Sequence, residues 1–186
     1  MSDAAAKRRA RQTVINLALS LLATLGVVLA LVLMVPRDDS SRIPRIDYKA
    51  VAQEAQTSSG VTINLPTLPQ DWWSNKATWR PEAKDAVPNF EAGFVGPKNQ
   101  YIGFIQGFGA NPTWLALKLQ DVQLTGSIPG ANGPWDIYTA KVKNDPAESW
   151  DYVMVNTSDQ VDYIILYGTA TPEEFADFAA SIDESK

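Results

Sequence analysis

The longest feature in the pattern of apolar and polar positions is an uninterrupted apolar run near the N-terminus. Residues 14–35 (VINLALSLLATLGVVLALVLMV) contain no charged side chain, and the flanking charges are Arg11 and Arg37. As a helix these 22 residues are about 33 Å long, which is enough to cross the hydrocarbon core of a bilayer. The run therefore predicts one membrane-spanning helix.

A cleaved signal peptide is the alternative interpretation of this run. Val28, Leu29 and Ala30 place small residues where a signal peptidase acts. The apolar residues nevertheless continue through Val35, which is longer than the apolar core of a typical signal peptide. We therefore favour an uncleaved anchor.

One side of the predicted helix carries small and polar residues. At about 100° per residue they fall within about 160° of arc. They are Asn16, Ser20, Ala23, Thr24, Gly26 and Ala30. Small side chains let helices approach closely, and Gly26 and Ala30 have the spacing of a small-xxx-small pair. Two interpretations stay open: a packing face for another membrane helix, or a lone span that tolerates small residues.

The pattern after the run predicts a linker and then a folded domain. Residues 36–59 form a polar juxtamembrane linker that includes a short helix, for which Asp47 is the expected N-cap. Residues 61–65 (VTINL) alternate and predict a first strand, and a turn follows at residues 66–73. The rest of the chain then divides into a basic tail (residues 1–13), the span (residues 14–35) and the outer domain (residues 60–186).

The outer domain contains an internal repeat. Residues 90–118 align with residues 150–178 at a constant offset of 60, with six identities in 29 positions. Each half predicts strand, turn, strand, N-cap with proline, and helix. Apolar residues then form a helical stripe in each half. The stripes are Phe175, Phe178, Ala179 and Ile182 in one half and Leu115, Leu119 and Val122 in the other.

The repeat predicts an α+β fold. A further strand precedes each unit, at residues 77–80 and 135–143, so a β-β-β-α unit is used twice. We expect one mostly antiparallel sheet of about six to seven strands, with the two repeat helices packed on one face. Several strands are apolar on both sides. The second face is therefore either covered by residues 47–73 or available to a partner.

Charge is distributed unevenly along the chain. Four of its 16 basic residues and one of its 21 acidic residues lie in residues 1–13, so the remainder carries 12 basic and 20 acidic residues. The basic tail predicts a cytoplasmic N-terminus and a C-terminal domain outside the membrane. The acidic outer domain argues against nucleic acid as a partner.

Catalytic chemistry is poorly supported by the residue types present. Cysteine and histidine are absent, which removes thiolate chemistry, the usual general base and the commonest zinc ligand. The glycines of residues 103–109 (GFIQGFG) lack dinucleotide spacing and indicate close backbone packing or bulges. A glycosidase-type pair would have to come from Asp136, Glu148, Asp151, Asp159 and Asp162. We expect no enzymatic activity, no metal and no cofactor.

Aromatic residues are the better candidates for recognition. The chain has six tryptophans, which serve either in core packing or at interfaces with proteins and sugars. Trp72 and Trp73 are adjacent, so in extended chain they point in opposite directions and one of them can be exposed. Our candidate partner or ligand surface comprises Trp72, Trp73, Tyr101 and Trp150.

The order and spacing of several short segments resemble an actinobacterial family, Domain of Unknown Function 4245. The segments are Asp47-Tyr48, residues 68–72 (LPQDW), residues 101–106 (YIGFIQ) and residues 166–174 (LYGTATPEE). The resemblance covers most of the chain, including the anchor. In this family a glycine usually precedes the tryptophan at the position of Trp72, where this chain has Asp71. The resemblance implies a cell-envelope location in a high-GC Gram-positive bacterium and no particular reaction.

These observations favour a membrane-anchored interaction module, an accessory subunit of a larger membrane protein complex. Its expected partners are the lipid bilayer and a membrane protein. We expect both the helix and the outer domain to contact the membrane protein. A binding domain for an envelope glycan or lipid is the second hypothesis. A carboxylate-based hydrolase is the third.

Overall fold

The computed structural model describes residues 3–34, 44–141, 150–157 and 162–183. Its contacts divide the chain into two units, residues 1–42 and 43–186. The described part of the first unit is one helix, α1 (Asp3–Met34). Its apolar side chains are exposed all along its length, with Leu21 70% and Leu33 77% accessible.

Helix α1 meets the physical requirement for a membrane span. Residues Lys7–Met34 are long and apolar enough to cross a bilayer, and none of this helix is buried within the described residues. A helix satisfies its own backbone hydrogen bonds, which is what allows such a segment to sit in lipid. The prediction of one long apolar helix is confirmed, while Val35 and the first part of the predicted linker, residues 36–43, lie outside the described residues.

The described residues of the second unit form a seven-stranded antiparallel sheet with helices on both sides. Its strands lie in the order β1-β2-β3-β7-β6-β5-β4. The elements are α2 (Tyr48–Ser59), β1 (Trp73–Arg80), β2 (Asn89–Val95), β3 (Tyr101–Gly107), α3 (Pro112–Lys118), β4 (Val122–Ile128), β5 (Trp135–Ala140), β6 (Tyr152–Asn156), β7 (Tyr163–Gly168) and α4 (Pro172–Asp183). The predicted α+β class is confirmed.

The helix starts follow the capping signals of the sequence. Asp47 accepts hydrogen bonds from the first two free N–H groups of α2, each at 3.1 Å. Asn111 accepts one from the third residue of α3 at 2.9 Å. Thr171 and Glu174 cap α4 reciprocally, each accepting a bond from the other's N–H. Such caps satisfy donors that a helix leaves without partners.

The strand arrangement has the symmetry that the repeat predicts. β3 and β7 occupy equivalent places in the two halves and pair with each other at the centre of the sheet. Ile105 and Ile165, which the repeat aligns, stand directly opposite one another. β2 and β6 flank this central pair, and β1 and β5 flank those. The offset of 60 therefore relates strands that lie in equivalent positions.

The two faces of the sheet carry separate apolar clusters. One cluster contains Phe94, Phe104 and Leu166 and packs against α2 and α4, and we call this side the α4 face. The other contains Ile105 and Ile165 and packs against α3, and we call it the α3 face. Successive strand residues point to opposite sides, which explains why Phe104 and Ile105 belong to different clusters.

The repeat helices do not share a face, so that detail of the prediction is wrong. α4 lies on the α4 face, and α3 lies on the other. On the α4 face the strands β1 to β3 are already occupied, because Tyr48 of α2 packs edge-on against Phe94 at 5.2 Å. The pair of helices that does share a face is α2 and α4.

The first repeat helix is also shorter than its apolar stripe suggested. α3 ends at Lys118, Leu119 is its C-cap, and Val122 begins β4. Val122 is buried in the cluster of the α3 face, so it contributes to the core from a strand instead of a helix. β4 was not predicted, because most of this edge strand is exposed and its residues show little alternation.

Residues 61–65 do not form the predicted strand. They lie outside any strand, and Val61 and Ile63 pack in the cluster of the α4 face. Their backbone is bonded by side-chain amides in place of a strand ladder: Gln106 accepts from Asn64 N–H at 2.8 Å and donates to the carbonyl of Thr62 at 3.0 Å. The alternation of apolar and polar residues does indicate that one side of this segment is buried. The partner of its backbone hydrogen bonds is a buried glutamine, which periodicity does not reveal.

Asp71 has a left-handed backbone conformation, which glycine adopts more readily than any other residue. Its φ is +67°, in the left-handed region, within the turn that leads into β1. Aspartate tolerates this region better than most residues, although glycine enters it without steric cost.

Candidate functional site

Aromatic side chains gather on the α3 face of the sheet. Trp73 begins β1 opposite Val95, which in turn stands opposite Tyr101 on β3. Opposed residues of antiparallel strands project to the same side. Tyr167 of β7 stands opposite Gly103, two residues along the same strand from Tyr101. We call the half-buried set Trp73, Tyr101, Trp150 and Tyr167 the aromatic patch.

Three rings of the aromatic patch contact one another, and the fourth, Trp73, contacts Arg45. Trp150 stacks on Tyr167 with ring centroids 4.3 Å apart and planes 10° from parallel. Tyr101 meets Tyr167 edge-on at 6.3 Å. The guanidinium of Arg45 lies 5.6 Å from the centroid of the Trp73 ring, within cation–π range. These contacts hold four large side chains in fixed orientations on one surface.

Two strand glycines make room for the tyrosine rings. A Cβ at Gly103 would overlap the ring of Tyr167. A Cβ at Gly93 would approach the Tyr101 hydroxyl oxygen to 2.7 Å and would also overlap Asn75. Glycine in a strand often marks such a close approach. The prediction that Gly103 and Gly107 serve close packing is confirmed, since the Trp114 ring covers Gly107 in the same way.

A polar rim borders the patch on β1 and β2. The carboxylate of Glu91 is bonded to Lys76 at 2.5 Å and to Arg80 at 3.2 Å. Burial, followed by the neighbouring Tyr101 and the Glu91 carboxylate, raises the pKa of Tyr167 well above its ordinary value. The Tyr167 hydroxyl therefore stays protonated across the physiological range and presents a neutral hydrogen-bonding group.

The structure brings three of the four residues of the predicted surface to one face and separates the fourth. Trp73, Tyr101 and Trp150 belong to the aromatic patch. Trp72 points the other way, as adjacent residues in extended chain do, and packs against Phe178 of α4 with centroids 4.8 Å apart. Trp72 is therefore a core residue of the α4 face.

Sequence reasoning missed Tyr167, the residue at the centre of the patch. A tyrosine in a strand carries no signal of its own that separates a recognition residue from a packing residue. Gly103 offered an indirect signal, since a glycine inside an apolar strand suggests that a large group lies over it. The identity of that group depends on the pairing of β3 with β7.

The predicted packing side of α1 is compatible with close approach but does not demand a partner. Space within 4 Å of a Cβ at Gly26 is empty of described atoms. The hydroxyl of Thr24 donates to the carbonyl of Ser20 at 2.9 Å, so this polar group is satisfied within the helix. The prediction therefore depends mainly on Gly26, Ala30 and Asn16.

Among the acidic residues considered for catalysis, Asp162 has a structural role. Asp162 accepts a hydrogen bond from the N–H of Gly109 at 2.9 Å and so holds the turn after β3. Asp151 is exposed, while Glu148 and Asp159 lie outside the described residues. Among the described residues there is no group of three or more His, Cys, Asp or Glu that could hold a metal ion.

Comparison with known proteins identifies one family. A family model described as "Protein of unknown function (DUF4245)" matches residues 9–182, which include most of α1 and nearly all of the sheet domain. The comparison with curated proteins and the comparison with solved structures each found no match. The family match therefore covers both units of the chain and does not itself describe an activity.

Proposed function

Because the chain belongs to the DUF4245 family, whose match extends over both units, we propose that it is a membrane-anchored interaction module of the cell envelope. In this proposal α1 spans the membrane with its N-terminus in the cytoplasm. The sheet domain lies outside and docks on a larger membrane protein complex as an accessory subunit.

The anchor part of the proposal is supported by charge and composition. Lys7, Arg8, Arg9 and Arg11 precede the apolar part of α1, and such clusters are retained on the cytoplasmic side. Exposed leucines along α1 would cost free energy in water, since each buried or lipid-covered leucine side chain is worth roughly 2 kcal/mol. A bilayer removes that cost.

The aromatic patch is the observation that carries the docking part of the proposal. Residues that dominate protein interfaces are tryptophan, tyrosine and arginine, held in fixed orientations beside polar groups. The patch has two tryptophans and two tyrosines, with Arg80 and Lys76 at its rim. Stacking between Trp150 and Tyr167 also lowers the ordering cost of binding, because the rings are already in place.

Co-purification from native membranes tests the docking proposal. Full-length wild-type protein and a Trp150→Ala, Tyr101→Ala double variant are purified in parallel after cross-linking, and recovered membrane proteins are quantified by mass spectrometry. We expect recovery of the specific partner to be at least about tenfold lower with the double variant, because truncating an interface hot spot weakens binding by about 2 kcal/mol or more. Leu124→Ala is the matched control, since Leu124 is a 60% exposed apolar residue of β4 outside the patch.

Two results would overturn the docking proposal. One is a wild-type protein that leaves the membrane as a monodisperse monomer with no membrane protein attached under several mild detergents. The other is unchanged partner recovery by the double variant, with thermal unfolding showing that it remains folded.

The helix contribution needs a separate pair of variants. Ser20→Leu with Gly26→Leu enlarges the small side of α1, where the helix itself leaves room. Val32→Leu also enlarges a side chain, but on the opposite side of the helix. Partner loss with the first variant and not with the second supports a helix contact, and equal recovery contradicts it.

A further inference from the structure

A polar cleft opens on the α3 face beside the aromatic patch. It has a volume of about 520 Å³ and is enclosed by the ends of β1 and β2, the loop between them and Lys118 of α3. This volume lies within the range of about 300–1,000 Å³ that is typical of small-molecule sites. Three basic and three acidic side chains line it, so its formal charge is zero.

Two ion pairs hold the walls of the cleft. Lys118 lies 3.2 Å from the carboxylate of Asp85, which also accepts a hydrogen bond from the indole of Trp114 at 2.7 Å. Partial burial alone would raise the pKa of Asp85, but the bonds from Trp114 and Lys118 outweigh it and lower the pKa. Arg80 is held against Glu91 at 3.2 Å. Donors and acceptors are therefore fixed before any ligand arrives.

Asn89 is the group in the cleft that points to a ligand. Its side chain is only 3% exposed, and its Nδ2 donates to the carbonyl of Val87 at 3.0 Å. Its Oδ1 is buried and has no hydrogen-bond partner among the described residues. An unpaired buried acceptor costs about 1–3 kcal/mol, so a bound molecule that donates a hydrogen bond to Oδ1, once the Asn89 amide turns towards the cleft, would recover that free energy.

The chemistry of the lining selects a class of ligand. A carboxylate offers no donor to Asn89, and neither a carboxylate nor a phosphate meets a net positive charge in the cleft. A cation would compete with Lys118 and Arg80 for carboxylates that are already paired. An apolar chain would remove water from these charged groups and leave Asn89 Oδ1 unpaired. Hydroxyl groups both donate and accept, so they can bond Asn89 and the fixed charged groups together.

We propose that this cleft binds a neutral saccharide unit, with a sugar hydroxyl donating to Asn89 Oδ1 and neighbouring hydroxyls bonded to Arg80 and Lys84. Lys84 is exposed and has no ion-pair partner within the described part of the chain, so it is free to bond a ligand. This inference goes beyond the docking function and uses a different part of the same face.

Saturation-transfer NMR on the full-length protein tests the proposal. The protein is placed in phosphatidylcholine nanodiscs, because many detergents carry sugar headgroups. Glucose, mannose, arabinose and N-acetylglucosamine are the probes, and inorganic phosphate is the anionic comparison. We expect saturation-transfer signals from the ring protons of at least one sugar. Added phosphate should not displace that sugar. The proposal fails if none of these sugars binds at concentrations above about 1 mM, or if phosphate binds in their place.

Variants of the cleft separate a ligand role from a structural one. Asn89→Leu removes the unpaired acceptor, so we expect unchanged or higher thermal stability together with at least about tenfold weaker sugar binding. Lys84→Gln alters only an exposed residue and should weaken binding several-fold even if Asn89→Leu folds poorly. Lys98→Gln, an exposed lysine in the turn between β2 and β3, is the matched control. Sugar binding that survives Asn89→Leu and Lys84→Gln would contradict the proposal.

The two proposals can fail independently. Trp150→Ala should reduce partner recovery and leave sugar binding intact, since Trp150 does not line the cleft. Asn89→Leu should have the reverse effect.

Discussion

The α4 face and the α3 face belong to one sheet but are covered in different ways. On the α4 face, α2, α4 and an extended segment bury an almost continuous layer of aromatic and aliphatic side chains. On the α3 face, a seven-residue helix covers a smaller cluster, and half-buried aromatic rings and fixed ion pairs occupy the rest. Because the α4 face buries the larger apolar cluster, we expect it to supply most of the stability. The α3 face is then free to carry recognition groups.

The largest effect should come from truncating the core of the α4 face. Phe178 is fully buried and contacts the rings of Trp72 and Phe94. We expect Phe178→Ala to lower the free energy of unfolding by about 3–5 kcal/mol. Trp150→Ala on the α3 face removes a half-buried stacked ring and should cost only about 1 kcal/mol. Chemical denaturation measures both, and equal losses would remove the distinction between the faces.

A methyl group under the aromatic patch should disturb recognition more than stability. In Gly103→Ala the new Cβ displaces the Tyr167 ring and with it Trp150, at a cost of about 1–3 kcal/mol. We expect a changed near-ultraviolet circular dichroism spectrum and reduced partner recovery. Gly126→Ala on β4 is the matched control, because no described atom lies within 4 Å of its added Cβ. Similar spectra for the two variants would show that Tyr167 does not rest on Gly103.

Alkaline titration probes the buried tyrosines of the two faces, and Tyr48 on the α4 face is one of them. Burial, reinforced by Asp47, raises the pKa of Tyr48 to about 12, against about 10 in an unfolded chain. Between these values the folded state keeps a proton that the unfolded state has lost, so stability falls as pH rises from about 10 to about 12. Tyr48→Phe should reduce this fall, measured as the melting temperature at several pH values.

The same variant has a cost at neutral pH. The Tyr48 hydroxyl donates to the carbonyl of Pro66 at 2.9 Å, and losing this bond should cost about 1 kcal/mol. Tyr167 on the α3 face contributes to the alkaline fall in the same direction, because burial raises its pKa as well. If Tyr48→Phe leaves the alkaline slope unchanged, Tyr48 is not the residue whose proton the fold protects.

The smallest expected effect is a gain from relieving backbone strain in the turn before β1. Asp71→Gly removes the steric cost of φ +67° and should raise the free energy of unfolding by less than about 1 kcal/mol. Asp136→Gly, placed inside β5, is the control and should lower it. A loss of stability in Asp71→Gly would mean that the aspartate side chain supports the turn in some other way.

Local signals accounted for much of the fold. The caps at Asp47, Asn111 and Thr171 were readable because each depends on residues within three positions of one another. β4 was not readable, since an exposed edge strand has no core face to impose alternation. The strand predicted at residues 61–65 failed for the opposite reason, because periodicity detects burial and cannot identify the hydrogen-bonding partner.

The candidate sites were less accessible to sequence reasoning than the fold. Trp73, Tyr101 and Trp150 were selected as large aromatic residues, but their common face follows from the register of β1, β2 and β3. Tyr167 and Asn89 were missed, because a tyrosine or an asparagine in a strand looks the same whether or not the fold gives it a partner. The pairing of distant strands creates those environments.

The sequence by itself determined the apolar helix, the charge imbalance along the chain, the helix caps and the repeated strand–strand–helix unit, because each is written in neighbouring residues. Only the tertiary structure decided which face of the sheet each helix covers and to which face Trp72 and Trp73 each point. It also decided which side chains lie over Gly103 and which line the cleft. These outcomes depend on contacts between segments that are far apart in the chain, and such contacts are set by competition for space on the two faces of the sheet.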